Sequence, residues 1–242
     1  MFESNQFMKI TIRYVIIFLL LVVDATAQVV DPETGLFFEY KAVRVSAAPV
    51  VDGHLDDPAW KDATPQQLEW DFTDNRRWHP SADFSGVFAG VWFDGFLYLA
   101  FEFIDDQLRI KNNTITQQDR LEIYIDPERN GYKSDQTRYI IPIGQDGNQP
   151  PSPLLLATWA SNLKSFELSF NLRRIPQKDQ KINFGFYYVD VDGGQQSNHR
   201  IGWAPTGGLE DRNKLADLTF AVALKPTLNQ KAMQWGRIKS LY

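Results

Sequence analysis

The chain has 242 residues, with 25 Lys and Arg against 30 Asp and Glu and no cysteine, and its formal net charge is −5. This acidic balance gives no basic footprint for nucleic acid, so nucleic acid is excluded as a partner. Without cysteine the fold cannot use disulfides, and its stability must come from burial alone.

The first 27 residues have the pattern of a secretory signal peptide. Lys9 and Arg13 precede an unbroken apolar run over residues 14–23, and the small residues Ala25 and Ala27 follow it. The run is about half the ~20 residues that a membrane-spanning helix needs. We therefore predict cleavage after Ala27, export to the periplasm or the extracellular space, and no membrane attachment afterwards. An uncleaved N-terminal anchor is the alternative.

After the signal peptide, apolar residues alternate at period two in short bursts separated by Gly, Pro, Asn and Asp. The bursts predict strands over residues 39–45, 83–93, 96–104, 120–125, 137–142, 154–159, 165–171, 182–191 and 218–223. Many short strands without a long helix favour an all-β fold, a two-sheet antiparallel β-sandwich of jelly-roll type over residues 28–225. A closed barrel is the main competitor. Residues 226–242 are predicted to form a C-terminal extension.

Two local patterns refine this prediction. Asp94 and Gly95 separate two apolar runs, which indicates a two-residue hairpin turn with positive φ at both positions. Residues 58–63 indicate a short helix, because Pro58 suits a first turn and Asp56 or Asp57 can cap it. That helix is expected to press Trp60 onto the core.

Four blocks of sequence, in order, resemble the family 9 carbohydrate-binding modules of the DOMON-like superfamily. They are residues 51–60 (VDGHLDDPAW), the hairpin block 91–105, residues 119–126 (DRLEIYID), and residues 182–186 followed by Trp203 and residues 217–218. The resemblance spans roughly residues 40–224. It implies a calcium-associated β-sandwich that binds the end of a sugar chain in a shallow site and holds an enzyme on polysaccharide.

The resemblance also implies the polar groups of a sugar site. Glu122 matches a glutamate that accepts hydrogen bonds from sugar hydroxyls in sugar-binding members, and Arg138 matches an arginine that donates to them. A structural ion pair between the two side chains is the alternative, and the two interpretations are compatible.

The stacking half of such a site is missing from its usual positions. Sugar-binding members hold the sugar between two tryptophans, but Thr116 occupies the first position and the loop over residues 206–211 has no aromatic residue. Because aromatic faces supply much of the contact with a sugar, their loss predicts weaker binding. Trp78 is the candidate replacement, whereas Trp70 and Phe72 are expected to alternate into the core.

For metal, the resemblance places Asp105 at a position that contributes to a structural calcium. Asp56 is the second donor that we predict, and Asp57, Asp106 and Asp126 are further hard oxygen donors of the kind that calcium takes. Isolated aspartates at strand ends are also common turn formers and caps, so this alternative stays open.

Other functions have weaker support in the sequence. A glycoside hydrolase needs paired carboxylates or a metal-held water, and none lies in a recognised catalytic motif. A non-catalytic module of carbohydrate catabolism is therefore favoured; any associated enzyme activity would be hydrolysis of O-glycosyl compounds. Related sandwiches hold haem, but Met233 is the only methionine after the signal peptide and lies outside the resembling region. No haem is expected. An exported sandwich that binds a protein or cell-envelope partner is the remaining alternative.

Overall fold

The computed structural model describes residues 30–31, 35, 37–110, 114–129, 137–146, 152–192, 199–205 and 215–222. The predicted signal peptide and the predicted C-terminal extension lie outside the described residues. Among the helices that are described, none has the length and apolar character to cross a membrane. Within these ranges, regular structure consists of strands and two short 3₁₀ helices, Pro58–Asp62 and Ile115–Gln117.

The strands include every one that the sequence predicts, with ends that differ from the prediction by at most two residues. They are β1 Glu39–Arg44, β2 Gln66–Gln67, β3 Trp70–Asp71, β4 Arg76–Arg77, β5 Phe84–Phe93, β6 Phe96–Asp105, β7 Arg120–Asp126, β8 Arg138–Pro142, β9 Leu155–Trp159, β10 Ser165–Asn171, β11 Lys181–Asp190, β12 His199–Gly202 and β13 Ala216–Ala221. The strands β2, β4 and β12 were not predicted, because two to four residues are too few to show an alternating pattern, whereas β3 falls in the edge strand expected from the alternation of Trp70 and Phe72.

The strands form two layers that hydrogen bonds join into a continuous network. One layer contains β8, β7 and β11, with β12 and β13 paired to opposite ends of β11 and β3 and β4 beyond β12. The other contains β5, β6, β10 and β9. The predicted sandwich is confirmed with one correction: β1 pairs parallel with both β13 and β5, so the sheets are not purely antiparallel.

Aromatic side chains from both layers form the core. Phe88 on β5 and Phe101 on β6 lie edge-on to Phe186 on β11, with ring centroids 4.9 Å and 5.0 Å apart. On β7 the alternation places Leu121 and Ile123 fully inside this core. The residues between them must point to the outer face of the sheet, because successive side chains of a strand alternate.

The predicted hairpin between β5 and β6 is confirmed. Asp94 has φ 44° and Gly95 has φ 85°, the two positive values that a type I′ turn requires. Phe93 and Phe96 pair directly across the turn, which fixes the register of the two longest paired strands.

The predicted helix forms as the 3₁₀ turn Pro58–Asp62 and buries Trp60, as expected. Asp57 occupies the N-cap position, but its side chain makes no cap bond; its Oδ2 accepts from the backbone N–H of Val50 instead. The predicted capping therefore fails, because the aspartate ties down the preceding loop.

A buried glutamate holds this N-terminal segment against β10. Glu167 has no solvent exposure, and its Oε1 accepts the indole N–H of Trp60 at 2.7 Å. Its Oε2 accepts the backbone N–H groups of Asp52 and Gly53 at 3.0 Å and 2.9 Å. Gly53 has φ 85°, and a Cβ there would lie 2.2 Å from the Ala160 nitrogen, so only glycine allows this approach.

Candidate functional site

The outer face of β7 and β11 carries a cluster of polar and aromatic side chains. Glu122 lies opposite Tyr187 in the β7–β11 pair, and Tyr124 lies opposite Arg138 in the β7–β8 pair. Alternation along the strands places these side chains away from the main core, where Tyr124, Tyr187 and neighbouring aliphatic residues form a separate small apolar cluster.

Glu122 is the centre of this face. Its Oε1 accepts from Arg120 Nε at 2.8 Å, and its Oε2 accepts from Arg138 Nη2 at 2.6 Å and from the Tyr187 hydroxyl at 3.0 Å. Glu122 is 2% exposed, whereas the Arg138 side chain is 44% exposed. The sequence-predicted pair is thus brought together, with the carboxylate beneath and the guanidinium at the surface.

The electrostatics favour an ionised pair. Burial alone would raise the pKa of Glu122, but hydrogen bonds and charges from Arg138 and Arg120 outweigh it and lower the pKa. The pKa of Arg138 is raised, since its bond to Glu122 outweighs the opposing effect of burial. Burial, with the nearby Glu122 charge, raises the pKa of Tyr187, so the hydroxyl remains a donor.

Two further residues complete the outer face. The Arg200 guanidinium lies 5.6 Å from the ring centroid of Tyr187, and the Arg138 guanidinium lies 6.0 Å from that of Tyr124. The partly buried Phe72 packs on Tyr187 with ring centroids 5.6 Å apart. The face therefore offers guanidinium donors and one partly exposed aromatic ring, a combination suited to a polar ligand with apolar edges.

The structure does not support Trp78 as the stacking residue. Trp78 is 9% exposed, belongs to the main core and donates its indole N–H to the Phe84 carbonyl at 3.1 Å. Trp70 is buried, as expected, but Phe72 lies on the outer cluster rather than in the core. The reason is the sharp β3–β4 turn, in which Phe72 is no longer part of the β3 alternation.

Of the two positions where sugar-binding members carry tryptophan, the structure describes only the first. Thr116 lies exposed in the 3₁₀ helix Ile115–Gln117, where it supplies no stacking surface. The loop over residues 206–211 lies outside the described residues.

A second cluster consists of carboxylates at one end of the sandwich. The groups Asp83, Asp190, Asp192 and Asp105, Asp119, Asp190 each bring one oxygen per residue within 4.8 Å of the others. Asp190 belongs to both groups and is 1% exposed. It ends β11, whereas the other members flank the ends of β5, β6, β7 and β11.

The cluster has the donor set of a cation site. Both carboxylate oxygens of the buried Asp190, and Oδ1 of Asp192, lack a hydrogen-bond partner in the described structure. Burial, followed by repulsion from the neighbouring carboxylates, raises the pKa of Asp190 to about 9. Burial likewise raises the pKa of Asp119 to about 7. Oxygen-rich groups of this kind fit a hard divalent ion such as Ca²⁺.

The two predicted metal donors, Asp105 and Asp56, lie in different places in the structure. Asp105 lies in the cluster, where its Oδ2 accepts from the Tyr188 hydroxyl at 2.7 Å. Asp56 is exposed in the loop before the 3₁₀ turn and belongs to neither carboxylate group. Asp57 and Asp126 are likewise absent from both groups, and so is Asp106.

Sequence reasoning missed several members of both sites. Arg120 lies within the recognised block over residues 119–126, and Tyr187 directly follows the block over residues 182–186; their period-two spacing from Glu122 and Val189 was a usable signal. Arg200 and Asp190 meet these residues only through the long-range pairing of β11 with β12 and β7. Nothing in the local sequence gives that pairing.

Together, the fold and the site describe a β-sandwich protein whose outer face is lined with arginine side chains. The sequence matches a family model described as carbohydrate family 9 binding domain-like over residues 51–214. Because this match covers more than half of the chain, the chain belongs to that family, and the predicted resemblance is confirmed. A search of curated proteins gives no match.

Solved structures show the same fold. A family 9 carbohydrate-binding module from Caldicellulosiruptor kristjanssonii in complex with cellotriose matches with a TM-score of 0.63 and 18% identity, covering 78% of this chain and 99% of that one. The same organism's module in complex with glucose matches with a TM-score of 0.64 and 16% identity, covering 79% and 100%. A proposed carbohydrate-binding protein from Bacteroides uniformis has a TM-score of 0.50 and 13% identity, covering 75% and 98%.

Proposed function

We propose that this chain is a non-catalytic carbohydrate-binding module that binds saccharide on the outer face of β7, β11 and β12. The observation that carries the proposal is the exposed Arg138 guanidinium, held by the buried Glu122 beside Tyr187. A donor fixed in this way is pre-organised for a ligand, since little freedom is lost on binding.

Glu122 has a different role in this proposal from the one that the family resemblance implies. Its oxygens already accept three hydrogen bonds and its side chain is almost fully covered. It therefore positions Arg138 and does not meet sugar hydroxyls itself. Arg138 and Arg200 contact the ligand, and Phe72 supplies the apolar surface in place of Trp78.

Family membership and the ligands of similar structures support this assignment. The two C. kristjanssonii modules are in complex with cellotriose and glucose. Cello-oligosaccharides are accordingly the first neutral ligands to test for this chain. Binding is expected to be weak, because one partly buried phenylalanine offers less surface than two tryptophans.

The proposal includes a structural Ca²⁺ ion. Asp190, Asp192 and Asp83 would hold it, with Asp105 and Asp119 adjoining. When bound, such an ion neutralises buried carboxylates and joins the ends of four strands. It is placed at the end of the sandwich, whereas the proposed saccharide face is on its outer side.

Export is part of the proposal and is supported by the basic start, apolar run and small-residue site in residues 1–27. Expression of the whole chain in a secreting bacterial host should give a mature protein that begins at Gln28. Intact mass measurement of the exported fraction checks this. A product that retains residues 14–23 would contradict cleavage and favour an N-terminal anchor.

Replacing Arg138 by alanine is expected to abolish measurable saccharide binding. The change removes an exposed donor whose charged hydrogen bonds are worth roughly 1.5–3 kcal/mol each, a large share of a weak affinity. Isothermal titration calorimetry with cellotriose, glucose and acidic oligosaccharides measures the loss. Circular dichroism and thermal unfolding establish that the variant is folded.

The matched control is Arg44→Ala. Arg44 also lies over an aromatic ring, 5.4 Å from the centroid of Trp92, but it is on β1 and outside the proposed face. Its replacement should leave binding unchanged. Equal loss in both variants, or binding that persists in Arg138→Ala, would place the saccharide site elsewhere.

A further inference from the structure

The outer face has more cationic than anionic groups. Around Glu122, the described residues provide the three guanidinium groups of Arg120, Arg138 and Arg200 and a single carboxylate. On the adjacent β3–β4 turn, Asp71 bonds to His199 and Asp74 bonds to Arg76. The charge of the described face is therefore locally positive, although the whole chain is acidic.

Tyr187 connects the two exposed arginines. Its hydroxyl donates to the same Glu122 oxygen that Arg138 Nη2 reaches at 2.6 Å, and Arg200 lies over its ring at 5.6 Å. The two guanidinium groups thus flank one tyrosine, and both are accessible: the Arg138 side chain is 44% exposed and Arg200 is also exposed.

Most of the acceptor capacity of Glu122, the carboxylate at the centre of the described face, is already used. Glu122 Oε1 is bonded to Arg120, and its Oε2 to Arg138 and Tyr187. A neutral sugar hydroxyl needs both donors and acceptors to satisfy it, whereas a carboxylate accepts only. A surface with a surplus of guanidinium N–H groups matches a planar carboxylate, which two such groups can hold through charge-assisted bonds.

We propose that the saccharide bound on this face carries a carboxylate, as a uronic acid residue does, and that Arg138 and Arg200 receive it. This inference rests on the proposed function and narrows its ligand class. The net charge of −5 opposes the approach of an anion, so a preference for the acid must arise locally from these arginines.

The test compares trigalacturonate with its fully methyl-esterified form, which keeps the same sugar rings and hydroxyl groups but carries no charge. At about 50 mM salt we expect the acid to bind the whole mature chain about tenfold more tightly than the ester, and this ratio to shrink in about 500 mM salt. Calorimetry with cellotriose as a third ligand runs in parallel. Ester binding equal to or tighter than acid binding would overturn the inference and leave the proposed function intact.

The variants Arg200→Gln and Arg44→Gln test whether Arg200 is responsible for the preference for the acid over the ester. Arg200 donates no side-chain bond to Glu122 in the described structure, so its replacement should preserve folding while the acid-to-ester ratio falls toward one. Arg44→Gln should keep the ratio. An acid-to-ester affinity ratio that stays high in Arg200→Gln, or that falls equally in the two variants, would overturn the assignment of the carboxylate to Arg138 and Arg200. Failure of all three ligands to bind the unchanged protein would overturn this inference and the proposed function together.

Discussion

Replacing Glu167 by alanine is expected to lower the free energy of unfolding by roughly 3–5 kcal/mol, since three N–H groups, two of them buried, lose their acceptor. The donors are the Trp60 indole and the backbone nitrogens of Asp52 and Gly53. Burial raises the pKa of Glu167 to about 7, and the three hydrogen bonds, which favour the ionised form, oppose that rise only in part. Urea unfolding followed by circular dichroism measures the change.

Glu102→Ala is the control for this loss. Glu102 lies on β6 beside β10 and is exposed, so its removal should change the free energy of unfolding by less than about 0.5 kcal/mol. If Glu167→Ala lowered the free energy of unfolding as little as Glu102→Ala, the segment over residues 52–60 would be held by apolar contacts alone. A loss of several kcal/mol would establish that the glutamate fastens this segment to β10.

Calcium is expected to stabilise the protein through the carboxylate cluster. At a hundred times its dissociation constant, Ca²⁺ should add about 2.7 kcal/mol to the free energy of unfolding, because it binds the folded state alone. For a domain of this size the gain corresponds to a rise in Tm of roughly 5–10 °C. Differential scanning calorimetry with Ca²⁺ and with EDTA measures it.

Asp190→Asn should abolish this response. It removes the charge shared by both carboxylate groups. In EDTA at neutral pH the same variant should be more stable than the unchanged protein, because folding must protonate Asp190, whose pKa burial raises to about 9, whereas asparagine is neutral in both states. Asp56→Asn, at the exposed predicted donor, is the matched control and should keep the full calcium response. An Asp190→Asn protein that still gains stability from Ca²⁺ would contradict the proposed ion site.

The sequence predicted the parts of the fold that depend on local pattern. Long alternating strands such as β5 and β6, and the Asp94–Gly95 turn between them, follow from side-chain period and backbone conformation. The parallel pairing of β1 with β13 and β5 joins residues far apart in the chain, and no local pattern encodes it. The strands β2, β4 and β12 were not predicted because they are too short to show a pattern.

The difference between local sequence pattern and long-range strand pairing also explains which residues of the candidate site were predicted and which were not. Glu122 and Arg138 were predicted together because each matches a polar residue of the family's sugar site, and the structure pairs them. Trp78 was chosen as an aromatic residue in a polar loop, but the structure uses its indole N–H to bond Phe84 inside the core. Composition cannot tell an exposed tryptophan from a buried one. Arg200 adjoins Tyr187 because β12 pairs with β11, and Phe72 adjoins it because β3 pairs with β12; neither pairing was predicted.

The central claim is that saccharide binds the outer face around Arg138, Tyr187 and Arg200. Its most direct test is a titration of isotope-labelled mature protein with cellotriose and with trigalacturonate, followed by amide NMR spectra. We expect at least one ligand to shift the amide resonances of β7, β8, β11 and β12 next to these residues and to leave those of β9 and β10 unchanged. Shifts confined to the opposite layer, or the absence of shifts with either saccharide at millimolar concentration, would contradict it.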